Sequence, residues 1–234
     1  MNAPASHRRG ELSVRRAHRF AILLAHDARR LVLARLRRRR SVRRKADRSL
    51  VTDIDLAVEG RLRRLITRHF PEHGIIGEEF PPHQPEAEYQ WLLDPIDGTL
   101  SLTHQLPFFG SIIGLHRRGE PVVGVIDLPL LDARYHAARG LGAWRNRHRL
   151  RLRDVPRAAF GDEIVAASGR DYFANFGRAT AFDRLLRTRL HVRGYGDCHG
   201  HALAAEGSIG AIVDFGVKRW DIAATQLLVE EAGG

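Results

Sequence analysis

The stretch WLLDPIDGT, residues 91–99, sets two aspartates, Asp94 and Asp97, three positions apart directly after a run of bulky apolar residues. Trp91 to Leu93 is too apolar for a sheet edge and reads as a buried strand, with Asp94 at its end. Pro95 removes a backbone donor and turns the chain, and Asp97 and Gly98 open a turn ahead of Thr99. That geometry projects both carboxylates toward one point beyond the sheet edge and can aim the Ile96 carbonyl the same way. Two carboxylates and a carbonyl are hard oxygen ligands, which favour Mg²⁺, Mn²⁺ or Ca²⁺ over zinc. Held together without a cation, the acids repel and one tends to stay protonated. Asp97 ahead of Gly-Thr equally suits a helix N-cap, and at this point both readings stand.

Outward from this stretch, the apolar spacing changes twice. Residues 11–38 carry apolar positions three and four apart, and a second helical pattern follows SLVTD, with Thr52 or Asp53 as N-cap and Pro71 as its stop. From Gly74 short apolar runs alternate with turn residues: GIIGEE and QWLLDP as strands joined by a polar loop, then FFGSIIGLHRRGEPVVGVIDLP as a hairpin, then further short strands. DEIVAASG and LHVRGYG read as strands around the helix RATAFDRLLRT. CHGHALAAEGSIGAIVDFG pairs a small-residue helix with a strand, and WDIAATQLLVEEAGG is a final helix with glycine at its end. Helices, then strands, then mixed elements without an internal repeat indicate one layered α/β domain, residues 1–234, around a mixed sheet.

The chain has 234 residues, 44% hydrophobic and 28% charged, which excludes a disordered tail or a fibre. Its formal charge of +11 is uneven: residues 1–48 hold sixteen Lys and Arg against three Asp and Glu, and the remainder is close to balanced. The run RLRRRRSVRRKADR, Arg35 to Arg48, is dense enough to attract phosphate or anionic lipid. It has no interleaved aromatics and continues an apolar helical pattern through Phe20, Leu24, Ala28 and Leu31, so it reads as a solvated helix face and loop rather than a nucleic-acid site. Only Lys45 and Lys218 are lysines, so the arginine bias runs through the whole chain. The single cysteine, Cys198, rules out an intramolecular disulfide, and no apolar run approaches a membrane span. A cytoplasmic protein is expected, with an organelle transit peptide the lesser reading of the Arg-rich start.

Two further acidic features accompany the central pair. GEE places Glu78 and Glu79 after a strand suited to pair with the one bearing Asp94. KRWDIAA puts Asp221 where a helix begins, a position that taken alone reads as a cap.

GEE, then WLLDPIDGT, then WDIAA with EEAGG, in that order, resemble the inositol monophosphatase family of Mg²⁺-dependent phosphatases over roughly residues 15–234. The resemblance implies an αβαβα sandwich with mixed sheets and a homodimer. It implies that Glu78, Asp94 and the Ile96 carbonyl hold one Mg²⁺, that Asp94, Asp97 and Asp221 hold a second, and that Glu78 helps a looser third. Asp55 would pair with Thr99 and, with Glu78, orient and deprotonate the attacking water, and the amides around Gly98 and Thr99 would cradle the phosphate.

The segment RGYGDCHGHALAAEGSIGAIVDFGVKRWD and LPFFGSIIGL resemble the histidinol-phosphatase-like branch. By position Ser168, Gly196, Asp197, Cys198 and Asp214 would line the leaving-group pocket, with Arg193 nearby. Asp197 and Asp214 suit a substrate carrying an amine, so histidinol phosphate is the expected ester, with inositol, other sugar or nucleotide phosphates as the alternative. Leu100 and Leu102 depart from the polar and aromatic residues more usual there. Cys198, His199 and His201 are possible zinc ligands, but on a helix such spacing diverges around the axis. The family pattern normally continues beyond Gly234 with another strand and helix, so a shortened or truncated member is expected, and an inactive remnant is one outcome. An Arg-rich binding protein on the same fold is the reading from a different class.

Overall fold

The computed structural model describes residues 13–37, 41–44, 50–155 and 161–234. Half of the arginine run, residues 38–40 and 45–48, lies outside them.

Helix α1 (Val14–Leu36) buries Ala17, Phe20, Ala21, Leu24, Ala25, Ala28 and Val32, the stripe expected from spacings of three and four. A short antiparallel ribbon, β1 (Val42–Arg44) with β2 (Leu50–Thr52), leads into α2 (Asp53–His69). Thr52 caps α2: its hydroxyl accepts from the Ile54 amide, and its own amide donates to Asp55 at 2.9 Å.

A seven-stranded sheet follows: β3 (Gly74–Gly77), β4 (Tyr89–Asp97), β5 (Gly110–Arg117), β6 (Glu120–Leu128), β7 (Ala133–Ala138), β8 (Gly142–Arg145) and β9 (His148–Arg149), paired in that order. Within it only β3 and β4 are parallel, with Gly77 beside Leu93, as the Glu78 to Asp94 proximity required. The β5–β6 hairpin turns on Arg118 and Gly119, both at positive φ, the conformation that a two-residue connection of twisted strands needs. Trp91, Leu93, Ile113 and Leu115 face α1 and α2, while Leu92, Ile112 and Ile126 face the other side, the alternation of a sheet buried on both faces.

That second face packs on α6 (Asp197–Glu206) and α7 (Thr225–Ala232). Beyond them β10 (Ile164–Ala167), β11 (His191–Arg193) and β12 (Ala211–Val213) form a parallel sheet in the order β11-β10-β12, touching α6 where Gly200 meets Ile212. Helices α4 (Arg170–Asn175) and α5 (Ala179–Leu186) lie alongside, with Phe173 edge-on to Phe182 and to Phe215, which follows β12. The layers make an αβαβα sandwich. Among the described residues no helix is long and apolar enough to cross a membrane.

Three sequence expectations change. Strand β4 runs through Asp97 and does not end at Asp94, because the chain absorbs Pro95 in a bulge. Helix α4 has no counterpart in the sequence pattern, its six residues being too few for a period. The last helix starts at Thr225, not at Asp221, and residues 219–224 form turns. There the backbone presses onto the sheet: a Cβ on Gly114 would meet the Ala223 carbonyl at 2.6 Å, and one on Gly124 would meet Ala224 Cα at 2.8 Å. The His116 ring lies 2.9 Å from the same Ala223 carbonyl, diverting it from a regular helix.

Candidate active site

In an unbroken strand Asp94 and Asp97, three apart, would face opposite sides of the sheet. Asp94 pairs with Ile112 and Asp97 with Gly110, so three steps on β4 match two on β5 and the register shifts between them. This bulge returns both aspartates to the face shared with α6 and α7. The Ser111 hydroxyl donates to the Pro95 carbonyl at 2.7 Å and satisfies the group that the bulge releases.

Glu78, Asp94, Ile96, Asp97, Gly98, Thr99 and Asp221 line one cavity of about 430 Å³, with Gly216, Lys218 and Trp220 completing its wall. The turn that brings Asp221 in is closed by the Lys218 amide donating to the Asp221 carboxylate at 2.6 Å. Glu78 leaves β3 with its amide bonded to the Leu93 carbonyl at 3.2 Å. Gly98 occupies the left-handed region at φ 82°, and a Cβ there would stand 2.8 Å from the Phe108 carbonyl and 3.2 Å from the Asp197 carboxylate. A five-residue helix, α3 (Thr99–Thr103), starts after it.

Asp55 is buried on α2 behind the cavity. One carboxylate oxygen takes both Thr52 donors, and the other lies 3.4 Å from the Thr99 hydroxyl, which also donates to the Ile96 carbonyl at 3.0 Å. The capping box of α2 thus fixes the acid that faces Thr99.

The electrostatics are those of crowded acids. Burial, and then the charges of Asp97, Glu78, Asp221 and Asp55, raise Asp94 well above the ordinary carboxylate range. Asp97 is raised by burial and then by Asp197 and Asp221, and Asp221 is pushed up to about 6 chiefly by burial. Asp94 Oδ1 and Asp97 Oδ2 are buried with no hydrogen-bond partner. Buried carboxylate oxygens left bare in this way fit a cation, and the accompanying donors are all oxygen. Among the described residues no three His, Cys, Asp or Glu side chains are already drawn in to one coordination point. A bound cation would offset the repulsion among these acids.

Of the expected leaving-group residues, Ser168 follows β10, Arg193 ends β11 and Asp214 follows β12, so all three stand at the carboxyl edge of one parallel sheet. Gly196 and Asp197 begin α6 at the same edge. None of these lines the acidic cavity itself, though Asp197 reaches Gly98. Arg193 is exposed and folds back onto the Val192 carbonyl at 2.9 Å. Cys198 is fully buried, its thiol 3.6 Å from the Asp97 carbonyl, while His199 packs against Phe108 with ring centroids 4.7 Å apart. Lys218, Gly216 and Trp220 escaped the sequence reading, although their proximity to Asp221 in sequence was the available signal.

A model of the inositol monophosphatase family matches residues 14–234. A histidinol-phosphatase of Chlorobaculum parvum is 37% identical over 216 residues, covering 92% of this chain and 83% of the relative. One of Mycobacterium tuberculosis is 37% identical over 195 residues, covering 81% of this chain and 74% of the relative. The crystal structure of the extragenic suppressor protein suhB from Bartonella henselae superposes with a TM-score of 0.83 at 26% identity, covering 93% of this chain and 85% of that one. The chain belongs to the inositol monophosphatase family.

Proposed function

We propose that the chain is a Mg²⁺-dependent phosphomonoesterase whose foremost substrate is histidinol phosphate. The observation that carries the reading is the pair of bare buried oxygens, Asp94 Oδ1 and Asp97 Oδ2, beside one cavity with Glu78, Asp221 and the Ile96 carbonyl. These residues would hold two or three Mg²⁺, which when bound supply charge neutralisation for a phosphate dianion and for the attacking and leaving oxygens. Monoester hydrolysis is extremely slow without such help.

The chain's own groups then position a water. Thr99 Oγ1, held between Asp55 and the Ile96 carbonyl, is placed to accept a hydrogen bond from it, and the water's proton leaves either to Glu78 in the cavity or to Thr99 as Thr99 passes its own to the buried Asp55. Burial raises Asp55 from its ordinary value, which suits a proton acceptor. Gly98, without a side chain, leaves room for the phosphoryl oxygens.

For the leaving group, Asp197 and Asp214 stand close enough at the edge of the second sheet to repel each other, and the tilted ring pair of Phe108 and His199 lies near Asp197. Carboxylates next to aromatic faces suit a cationic amine with a flat ring better than a neutral polyol. The names of the two histidinol-phosphatase relatives point the same way. Ser168 and Gly196 complete the pocket in this reading, with Cys198 buried beneath it and Arg193 at the exposed sheet edge, and the protein works as a cytoplasmic homodimer without nucleic acid.

The test is a phosphate-release panel with Mg²⁺, comparing histidinol phosphate, inositol 1-phosphate, fructose 1,6-bisphosphate and adenosine 3′,5′-bisphosphate. Histidinol phosphate should lead in kcat/KM. A sugar phosphate in the lead would replace the substrate, and undiminished turnover in both Asp94→Asn and Asp221→Asn would remove the phosphatase mechanism.

A further inference from the structure

We infer that Glu59 and Arg63 are positioning residues, a clamp on helix α2 that holds the backbone after Glu78 and so sets the metal affinity of the acidic cavity. The inference rests on the metal-binding reading above.

Glu59 is fully buried. A carboxylate removed from water is costly unless its oxygens are met by donors. Here Oε1 accepts from Arg63 Nε at 2.7 Å, and Oε2 accepts from the Glu79 backbone amide at 2.7 Å. Arg63 turns its two terminal nitrogens to the carbonyls of Phe80, at 2.9 Å, and Pro81, at 3.0 Å, and its guanidinium lies over the Phe80 ring. Three consecutive residues, 79 to 81, are therefore tied to one turn of α2 by charge-assisted bonds. They begin directly after Glu78, where β3 has ended.

Two other features make the placement specific. A Cβ on Gly77 would stand 2.1 Å from Glu59 Oε1, so the loop approaches the carboxylate as closely as only glycine permits. Asp55 and Glu59, four apart, lie on one face of α2 and are both buried. A single rigid helix thereby registers Thr99 through Asp55 and the Glu78 segment through Glu59, and neither Glu59 nor Arg63 lines the cavity.

The experiment compares the full-length wild type with Glu59→Gln, Arg63→Lys and the core control Val123→Ala. The glutamine variant keeps the shape but presents an amide to Arg63, and the lysine variant keeps the charge but not the fork. In metal-free protein, amide hydrogen exchange at Glu79 should quicken in both clamp variants and not in the control. Calorimetric Mg²⁺ affinity should fall about tenfold or more, the usual effect of removing a group that orients a ligand. Turnover at saturating Mg²⁺ should stay close to wild type. Unchanged Mg²⁺ affinity in both clamp variants, or an equal loss in Val123→Ala, would overturn the clamp. A wild type that binds no Mg²⁺ would instead overturn the metal-binding reading, and the clamp with it.

Discussion

Asp94 and Asp97 share one face of the sheet because the strand between them carries one residue more than its partner, so that they oppose Ile112 and Gly110. The bulge is held by the Ser111 hydroxyl on the Pro95 carbonyl, and Ser111 is only 3% exposed. Ser111→Ala leaves that carbonyl bare in a buried site, which costs about 1–2 kcal/mol. Urea unfolding should record the loss, and the Mg²⁺ concentration for half-maximal phosphate release should rise as the two acids lose their register.

Thr99 and Asp55 separate chemistry from folding. Thr99→Val removes the hydroxyl between Asp55 and the Ile96 carbonyl but leaves the α2 cap intact. Its kcat should fall about 100-fold or more with little change in unfolding midpoint. Asp55→Asn also weakens the capping box, so it should lose comparable activity and a further ~1 kcal/mol of stability. Equal stability of the two variants would refute the double role of Asp55.

Much of this site was readable from sequence, and for a physical reason. The carboxylates sit at ends of strands whose apolar runs are short and distinct, so Glu78, Asp94 and Asp97 fell beside one another once β3 was paired with β4. The bulge was not readable, since WLLDPID fits equally a strand that ends at Asp94 and one that continues past Pro95. Asp221 reaches the cavity from a turn and not from a helix start, because the close approach of Ala223 and Ala224 to Gly114 and Gly124 involves residues about a hundred positions apart. Glu59 belongs to the same VT…D…VE stretch as Asp55, yet its residue type and spacing assign it no role. In a helical pattern it resembles any solvent-facing acid, and only the tertiary contact with the Glu79 amide shows where it points.

Gly98 tests whether the turn at the cavity floor needs its left-handed backbone. An alanine side chain there would face both an unfavourable φ of 82° and a Cβ at 2.8 Å from the Phe108 carbonyl. Gly98→Ala should cost about 1–3 kcal/mol. It should also raise KM for the phosphorylated substrate, because relief requires displacing Phe108 or Asp197, both of which border the leaving-group side.

Metal dependence should be all or none at Asp94. Chelation of the wild type should abolish phosphate release, and readdition of Mg²⁺ should restore it. In metal-free protein Asp94→Asn removes a crowded buried acid, so it should be at least as stable as wild type above neutral pH while inactive at any Mg²⁺ concentration. A destabilised Asp94→Asn protein would show that Asp94 is held by partners other than a cation.

The packing of α1 on the sheet should depend on pH through histidine. His18 Nε2 lies 3.0 Å from His136 Nδ1, and His136 Nε2 lies 3.1 Å from the Asn146 carbonyl. His136 must donate to that carbonyl, so its Nδ1 accepts and His18 donates. Protonating His136 removes the acceptor, and protonating His18 buries a charge beside it. Burial first, and then His136, lower His18 from 6.5 to about 4. A histidine depressed in the folded state binds fewer protons there than in the unfolded chain between those two values. Its stabilisation is complete above about pH 6.5 and is lost as pH falls toward 4, of order 1–2 kcal/mol after allowing for solvent screening. A glutamine at position 18 can still donate to His136 without titrating. Between about pH 7 and pH 5, His18→Gln should therefore lose less unfolding free energy than wild type. Parallel stability curves for the two proteins would show that the pair does not sense protons.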